Sequence, residues 1–200
     1  MIKIGLTGPT GAGKSTVAAY LADRGIPTVN ADEAAREITA VGSPTLPLLA
    51  EAFGQDILLA DGSLDRKLLA ARAFANAAAT AQLNAITHPA IIALMNEKID
   101  GLQANGATAV IIDAPLLFEA GVDATCDHTV AVVALDDLRS KRIMQRDAIS
   151  ADAATQRMQA QPPVSFYTQR AEVCLENNGD LADLLQQAQA LYEQIGRWCT

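Results

Sequence analysis

The sequence predicts one α/β domain built on a mostly parallel β-sheet, and three observations support this prediction. The chain has 200 residues, of which 50% are hydrophobic, and this is enough for one domain with a sizeable core. Short apolar segments alternate along the chain with segments of helical periodicity. No internal repeat or low-complexity linker divides the sequence into separate domains.

The strands are predicted from short apolar runs. Residues 2–7 form the first run and lead into a glycine-rich turn, and residues 26–30 form a brief second one. Residues 109–112 are the strongest interior strand, because a continuous apolar run that ends at Asp113 is typical of burial on both faces. Residues 129–135 supply a further strand.

Helical periodicity marks several segments between and after these strands. Residues 14–23 carry apolar side chains at helical spacing and end before Gly25, and a helix-like run begins at Asp32 and reaches about residue 38. A charged segment covers residues 136–147, and an amphipathic helix covers residues 181–195. The inward side chains of that last helix are expected to be Leu184, Leu185, Ala188 and Leu191.

A long helical stretch separates the second and third strands. Residues 43–105 are rich in Ala and Leu, and we interpret them as an insertion into the α/β core. Turns are expected at Gly42-Ser43-Pro44, Asp61-Gly62-Ser63 and His88-Pro89, the last because proline breaks a helix.

The charge of the chain disfavours two classes of partner. Its 15 Lys and Arg against 23 Asp and Glu give a net charge of −8, whereas nucleic acids and anionic membranes attract a cationic surface. No apolar run approaches the roughly 20 residues that span a bilayer, and the first residues do not resemble a signal peptide. The three scattered cysteines indicate neither a disulfide framework nor a zinc site. We therefore expect a soluble, cytoplasmic protein; the charge leaves a small anionic ligand and the oligomeric state open.

Residues 8–16, Gly-Pro-Thr-Gly-Ala-Gly-Lys-Ser-Thr, match the pattern G-x-x-x-x-G-K-[ST] of a phosphate loop. The glycines allow the backbone to curl so that N–H groups surround phosphate oxygens at a helix N-terminus. Lys14 is predicted to reach the β- and γ-phosphates, and the Ser15 hydroxyl to coordinate Mg²⁺. The predicted nucleotide-binding residues of this loop are Gly8, Gly11, Ala12, Gly13, Lys14, Ser15 and Thr16.

A phosphate loop predicts nucleotide binding but leaves the use of the nucleotide open. A GTPase would carry Asn-Lys-x-Asp, and the nearest string, at residues 96–100, has the wrong spacing. A remodelling ATPase usually has adjacent acids after an apolar strand, whereas Asp113 is followed by Ala114 and Pro115. Both readings are therefore disfavoured, and transfer of phosphate to a small acceptor is favoured.

Basic residues are concentrated after the fourth strand. Four of the 15 lie within residues 139–146, and on a helix Arg139, Arg142 and Arg146 would share one face. This face is either a solvated charged surface balanced by nearby acids, or a set of cations that closes over a transferring phosphate. The presence of a phosphate loop favours the second interpretation.

Other polar residues allow two roles each. Asp32 follows the second strand and either takes a proton from an acceptor hydroxyl or caps a helix N-terminus. Arg36 contacts an acceptor phosphate or pairs with Asp32, and Asp113 holds a Mg²⁺-bound water or a core hydrogen bond. His88 is more typical of a hydrogen-bonded structural residue than of a catalyst.

Over residues 4–184 the chain resembles the dephospho-CoA kinase family, the last enzymes of coenzyme A biosynthesis. The His-Pro and Pro-Leu-Leu-Phe-Glu pieces are the most particular to this family, in their order and spacing. The resemblance is carried by Ile4-Gly5-Leu6-Thr7-Gly8 with Gly13-Lys14-Ser15-Thr16, Asn30-Ala31-Asp32 with Ala35-Arg36, Leu64-Asp65-Arg66, Thr87-His88-Pro89-Ala90-Ile91, Asp113-Ala114-Pro115-Leu116-Leu117-Phe118-Glu119, Lys141-Arg142 with Gln145-Arg146-Asp147, and Asn177-Asn178-Gly179.

This resemblance implies a nucleoside-monophosphate-kinase-like core that transfers the γ-phosphate of ATP, with Mg²⁺, to the ribose 3′-hydroxyl of dephospho-CoA. It implies a helical acceptor-binding subdomain at about residues 33–105 and a lid at about residues 139–165. Asp32 would be the base, with Lys14, Arg142 and Arg146 as catalytic cations, and Asn177 and Gly179 would lie in a loop that contacts adenine. The implied acceptor-binding residues are Asp32, Arg36, His88, Pro115, Leu116 and Leu117.

Two departures from the family pattern concern the site. Asn30 stands where the family usually has aspartate, which is expected to alter Mg²⁺ or backbone contacts and not to abolish activity. Residues 162–169 lack the lysines common in the distal lid, so the lid is not expected to contribute a cation to the site after Arg157. The alternatives that remain are another small-metabolite or nucleoside monophosphate kinase, and a nucleotide-binding switch without catalytic activity.

Overall fold

A computed structural model describes residues 1–200, and five parallel strands form its single sheet. The strands lie in the spatial order β2-β3-β1-β4-β5, so that the first strand of the chain is central. Their bounds are β1 Ile2–Thr7, β2 Thr28–Asn30, β3 Ala109–Asp113, β4 His128–Val133 and β5 Val173–Glu176. The α/β fold with a parallel sheet is confirmed.

Nine α-helices connect and flank these strands. They are α1 Lys14–Ala22, α2 Ala31–Glu37, α3 Thr45–Phe53, α4 Arg66–Ala73, α5 Ala77–Ala104, α6 Asp136–Asp147, α7 Ala151–Gln159, α8 Val164–Thr168 and α9 Leu181–Trp198. Short 3₁₀ turns occur at Gln55–Ile57 and Val122–Thr125. None of the helices combines the length and the apolar character that crossing a membrane would need.

The register of the sheet brings the carboxyl ends of its central strands to one edge. Ile4 of β1 lies opposite Ile111 of β3 and His128 of β4, and Leu6 lies opposite Asp113. Because all the strands are parallel, the loop after β1 and the end of β3 meet at this edge, which is where ligands bind in open α/β sheets.

Helices cover both faces of the sheet, as a parallel sheet requires. On one face, Leu21 of α1 and Leu191 of α9 belong to the same buried cluster as the strand residues Ile4 and Ile111. Elsewhere, Tyr167 of α8 packs with Ala131 and Val133 of β4, and Phe118, Val164 and Phe166 lie against this group. Burial raises the pKa of the Tyr167 hydroxyl to about 12.

The chain separates into two compact units. The first comprises residues 1–29 and 102–200 and contains the sheet, and the second comprises Asn30–Gly101 and is helical. The second unit has its own core, in which Leu49, Phe53 and Leu69 are buried. Within this unit, Arg72 of α4 links that helix to the 3₁₀ turn at Gln55–Ile57, because it donates to both carboxylate oxygens of Asp56 at 2.6 Å.

The structure corrects the prediction of a turn at His88-Pro89, because both residues lie inside the 28-residue helix α5. Proline in a helix interior removes one hydrogen bond and costs about 3 kcal/mol. Here the carbonyl left without a donor belongs to Ala85, an exposed residue, so water can satisfy it. The Thr87 hydroxyl also donates to the Leu83 carbonyl at 2.9 Å and supports the preceding turn. The other expected turns are confirmed, with Gly42 and Gly62 at positive φ.

Strand β5 was absent from the prediction. It is four residues long, and only Leu175 in it is buried, so it carries little of the apolar signal that marks the inner strands. Strand β4 ends at Val133, two residues before the predicted end.

We predict that Pro89→Ala raises the free energy of unfolding by about 1–3 kcal/mol, because alanine restores the helical hydrogen bond that proline lacks. Urea denaturation measures the change. Pro44→Ala is the matched control: Pro44 is the N-cap of α3, where no helical donor is lost, so a small decrease of less than about 1 kcal/mol is expected. A loss of stability in Pro89→Ala would contradict the prediction.

Candidate active site

The phosphate loop (residues 8–16) connects β1 to α1 and has the predicted curled backbone. Gly8 and Gly13 have φ values of 146° and 105°, which residues with a side chain rarely adopt. A Cβ atom at Gly8 would collide with the Val132 carbonyl, and one at Gly13 with the Asn177 side chain. Helix α1 begins at Lys14 without a side-chain cap, so its first N–H groups are left for an anion.

Lys14 forms an ion pair with Asp113 at the end of the neighbouring strand β3. The side chains are 17% and 6% exposed, so the pair is largely shielded from water. Carboxylate and ammonium groups in such a position require each other or a substitute charge. Asp113 therefore holds the lysine at the loop.

A cavity of about 360 Å³ opens between the phosphate loop and α6. Its lining consists of Gly11, Gly13, Lys14, Ser15, Arg142, Gln145 and Arg146. The structure thus brings the phosphate loop together with two of the three arginines that were expected on one face of α6. One terminal nitrogen of Arg142 is buried and has no hydrogen-bond partner, which is a donor free for an anionic ligand.

Arg139 does not belong to this cavity. It is 3% exposed, its Nε donates to the Thr10 carbonyl at 3.0 Å, and a terminal nitrogen donates to Asp136 at 2.8 Å. Both interpretations of Arg139 are wrong: its guanidinium is buried and not solvated, and it bonds to the outside of the phosphate loop instead of lining the cavity with Arg142 and Arg146.

Asn177, just after β5, connects three parts of the fold. Its Nδ2 donates to the Ala12 carbonyl at 2.8 Å, and its Oδ1 accepts from Arg142 at 3.1 Å. Its backbone N–H donates to the Val133 carbonyl, also at 2.8 Å. The side chain is buried, and both ends of its amide are bonded within the protein. Gly179 lies in the same loop, exposed, before the capping box of α9.

Asp147, at the end of α6, binds two arginines. Arg146 donates to its two oxygens at 2.8 and 2.9 Å, and Arg157 of α7 also pairs with it. The hydrogen bond from Arg146, with the charges of both arginines, lowers the pKa of Asp147 to about 2. Arg146, which lines the cavity, is therefore paired with the Asp147 carboxylate.

In the second unit, Asp32 and Arg36 lie one turn apart on α2 and are exposed. The structure corrects the N-cap interpretation of Asp32, because the cap is Asn30. The Asn30 Oδ1 accepts from the N–H groups of Asp32 and Glu33 at 2.8 and 3.1 Å. No ion pair joins Asp32 to Arg36, so both charged groups are available to a ligand.

The remaining expected acceptor residues differ in exposure. Leu117 is completely buried and Leu116 is 58% exposed, so that of the two only Leu116 presents its side chain to a ligand. The Pro115 carbonyl accepts from the Thr7 hydroxyl at 3.2 Å. His88 is exposed on α5.

Sequence reasoning gave Gln161 no role, yet its Oε1 accepts the Thr10 N–H of the phosphate loop at 2.8 Å. No motif could reveal this contact, since it joins residues far apart in the sequence. The hydrogen bond from Asn177 to the Ala12 carbonyl could not be predicted from the sequence for the same reason.

Comparison with protein families gives a match over residues 2–183 to the family model described as dephospho-CoA kinase. A dephospho-CoA kinase of Corynebacterium glutamicum is 42% identical over 195 residues, which cover 98% of each chain. One of Anaeromyxobacter dehalogenans is 44% identical over 176 residues, covering 88% of this chain and 83% of the relative.

Solved structures of similar fold include a dephospho-CoA kinase. The structure of TT1252 from Thermus thermophilus has a TM-score of 0.84 at 33% identity and covers 96% of this chain and 97% of its own. Dephospho-CoA kinase from Campylobacter jejuni has a TM-score of 0.74 at 27% identity, with 99% and 98% covered. A shikimate kinase from Bacteroides thetaiotaomicron, 17% identical with a TM-score of 0.50, shares the fold.

We predict that Asp147→Asn lowers the melting temperature near pH 7, and that the difference from the wild-type protein narrows as the pH falls below about 4. The carboxyl of Asp147 has its pKa lowered from 3.8 to about 2 in the folded protein, so its stabilising effect is complete above 3.8 and is lost toward pH 2.

Thermal unfolding followed by circular dichroism at a series of pH values measures this difference. The control is Asp152→Asn, an exposed carboxylate of α7 without an ion pair, for which a smaller difference at pH 7 is expected. If the difference in melting temperature between the wild type and Asp147→Asn stays constant down to pH 3, the ion pairs of Asp147 do not stabilise the fold.

Proposed function

The chain belongs to the dephospho-CoA kinase family and catalyses the ATP-dependent phosphorylation of dephospho-CoA, and we propose that its phosphate loop, its lid arginines and Asp32 perform this transfer. The observation that carries the proposal is the cavity at the phosphate loop. There Lys14, Arg142 and Arg146 converge on one space with the N-terminus of α1, and this arrangement suits the polyphosphate of a nucleotide.

In the reaction we propose, the ribose 3′-hydroxyl oxygen of dephospho-CoA attacks the γ-phosphorus of ATP. The new oxygen–phosphorus bond forms while the bond to the β–γ bridging oxygen breaks, and ADP leaves. The hydroxyl proton passes to the Asp32 carboxylate, so that coenzyme A and ADP are the products. Asp32 is suited to this role because its carboxylate is exposed and has no ion-pair partner.

The cations have separate tasks in this proposal. Lys14 exchanges Asp113 for the β- and γ-phosphates, and the free donor of Arg142 binds a phosphate oxygen. Arg146 leaves Asp147 and neutralises the charge that develops during transfer, while Arg157 continues to occupy Asp147. Asp147 therefore never becomes an unpaired carboxylate.

The residues present at the loop fit Mg²⁺. This cation prefers oxygen ligands and commonly binds through one or two protein oxygens together with substrate phosphates. Ser15 supplies a hydroxyl at the cavity, and Asp113 supplies a carboxylate at the adjacent strand end. We propose that Ser15 holds the cation directly and that Asp113 holds one of its waters. When bound, Mg²⁺ would neutralise charge on the β- and γ-phosphates.

The adenine of ATP is assigned to the loop that contains Asn177 and Gly179. Since the Asn177 side chain is already bonded to Ala12 and Arg142, contacts to the base fall to the backbone of this loop. Arg36, His88, Pro115 and Leu116 stay predicted acceptor residues, whereas the Leu117 side chain is completely buried and does not face a ligand. The acceptor subdomain at 33–105 and the lid at 139–165 also stay predictions. The cytoplasmic location also stays a prediction.

We predict that the purified protein converts Mg-ATP and dephospho-CoA to ADP and coenzyme A, as measured by chromatography of the products. Shikimate and nucleoside monophosphates serve as alternative acceptors, and no phosphorylated product is expected from them. Lys14→Ala removes the phosphate-binding cation and should abolish turnover. Phosphorylation of another acceptor without formation of coenzyme A would contradict the proposal.

We predict that Asp32→Asn lowers kcat by about 100-fold or more, because the amide cannot accept the hydroxyl proton. Steady-state kinetics with dephospho-CoA gives the value. Glu33→Gln is the matched control, since it removes the same charge from the next exposed residue of α2, and its kcat should stay near that of the wild type. If Asp32→Asn keeps near-normal kcat and only raises KM, Asp32 binds the acceptor and is not the base.

A further inference from the structure

Side chains near the two ends of the lid segment (residues 139–165) bind the same residue of the phosphate loop. Arg139, at the start of the segment, donates from Nε to the Thr10 carbonyl at 3.0 Å. Gln161, near its end, accepts the Thr10 N–H at 2.8 Å through Oε1. Both backbone groups of Thr10 are thus held by side chains that are distant from it in sequence.

Gln161 is well placed to hold the loop because its own backbone is fixed. Its N–H donates to the Met158 carbonyl at 3.1 Å, at the end of α7. Pro162 and Pro163 follow directly, and proline restricts both its own backbone and that of the preceding residue. Little conformational freedom is therefore lost when the partly buried side chain reaches Thr10.

The contact matters because a phosphate-binding loop requires a defined curvature. Its N–H groups have to converge on the ligand while its carbonyl oxygens point away from it, since an inward carbonyl would repel a phosphate. Arg139 holds the Thr10 carbonyl and Asn177 holds the Ala12 carbonyl, each from outside the loop. Gln161 adds the third of these external contacts and is the only one of them that accepts a backbone N–H.

We propose that Gln161 is a positioning residue for the phosphate loop: it holds Thr10 so that the loop keeps the curvature that binds nucleotide phosphates, without touching the nucleotide. This inference rests on the proposed function only in that the ligand of the loop is ATP or its product ADP. Gln161 also couples the lid segment to the nucleotide site, because it belongs to the lid segment and its side chain binds the phosphate loop.

The test compares Gln161→Met with the wild-type protein. Methionine has similar length but lacks the acceptor, so the Thr10 N–H loses its partner. Calorimetric titration with Mg-ADP should show a dissociation constant about threefold to tenfold higher, the range expected for one net hydrogen bond. Amide exchange measured by NMR should be at least about tenfold faster at Thr10 in the variant.

Gln156→Met is the matched control, because Gln156 is exposed on α7 and the same chemical change should leave ADP affinity within about twofold. Thermal unfolding of each variant identifies the temperatures at which it is folded, and affinities are compared below them. A residue with a purely structural role would lower the melting temperature and leave the ADP affinity of the folded protein unchanged.

The proposal is overturned if Gln161→Met binds ADP within about twofold of the wild type, or if amide exchange accelerates uniformly and not at Thr10. Turnover of dephospho-CoA by the wild type is measured separately. If the wild type binds ADP without phosphorylating dephospho-CoA, the proposed function fails while the ADP result still decides the role of Gln161. If the wild type does not bind ADP, both fail.

Discussion

The curvature of the phosphate loop is the constraint on which the arrangement of the site depends. A loop that surrounds an anion with N–H groups has to direct its carbonyls outward, and each buried carbonyl then needs a donor. The central position of β1 makes this possible, because β4 and the segments beyond it supply these donors from one side. Asn177 donates to Ala12 and Arg139 to Thr10, so the side chains that shape the loop differ from those proposed to bind the phosphates.

The charge of the protein is distributed unevenly between its surface and the cavity. The net charge of −8 describes the surface as a whole, whereas the cavity collects Lys14, Arg142 and Arg146. Cations this close repel one another, and a carboxylate paired with a cation offsets its charge and reduces this repulsion. Asp113 pairs with Lys14 and Asp147 with Arg146, so two of the three cations are neutralised by carboxylates of the protein. Ligand binding can then proceed by exchange of these ion-pair partners.

Sequence reasoning predicted the parts of the fold that depend on local patterns. The phosphate loop, the buried strand ending at Asp113 and the helix after Lys14 follow from periodicity and glycine placement over short stretches. The contacts of Gln161 and Asn177 depend on side chains meeting a distant backbone, which no local pattern encodes. The turn predicted at Pro89 was wrong for the opposite reason. The local rule that proline ends a helix did not hold there, because the long helix α5 tolerates the lost hydrogen bond on its exposed side.

Asn30 shows how a departure from a family pattern can be read physically. The Asn30 Oδ1 accepts two N–H groups at the start of α2, and the carboxylate of an aspartate would accept the same two bonds. One of these N–H groups is that of Asp32, so residue 30 fixes the backbone of the proposed base whichever of the two amino acids is present. What asparagine lacks is the negative charge, which would favour the helix N-terminus and attract a cation. The substitution therefore removes an electrostatic contribution from the neighbourhood of Asp32 and leaves its backbone geometry intact.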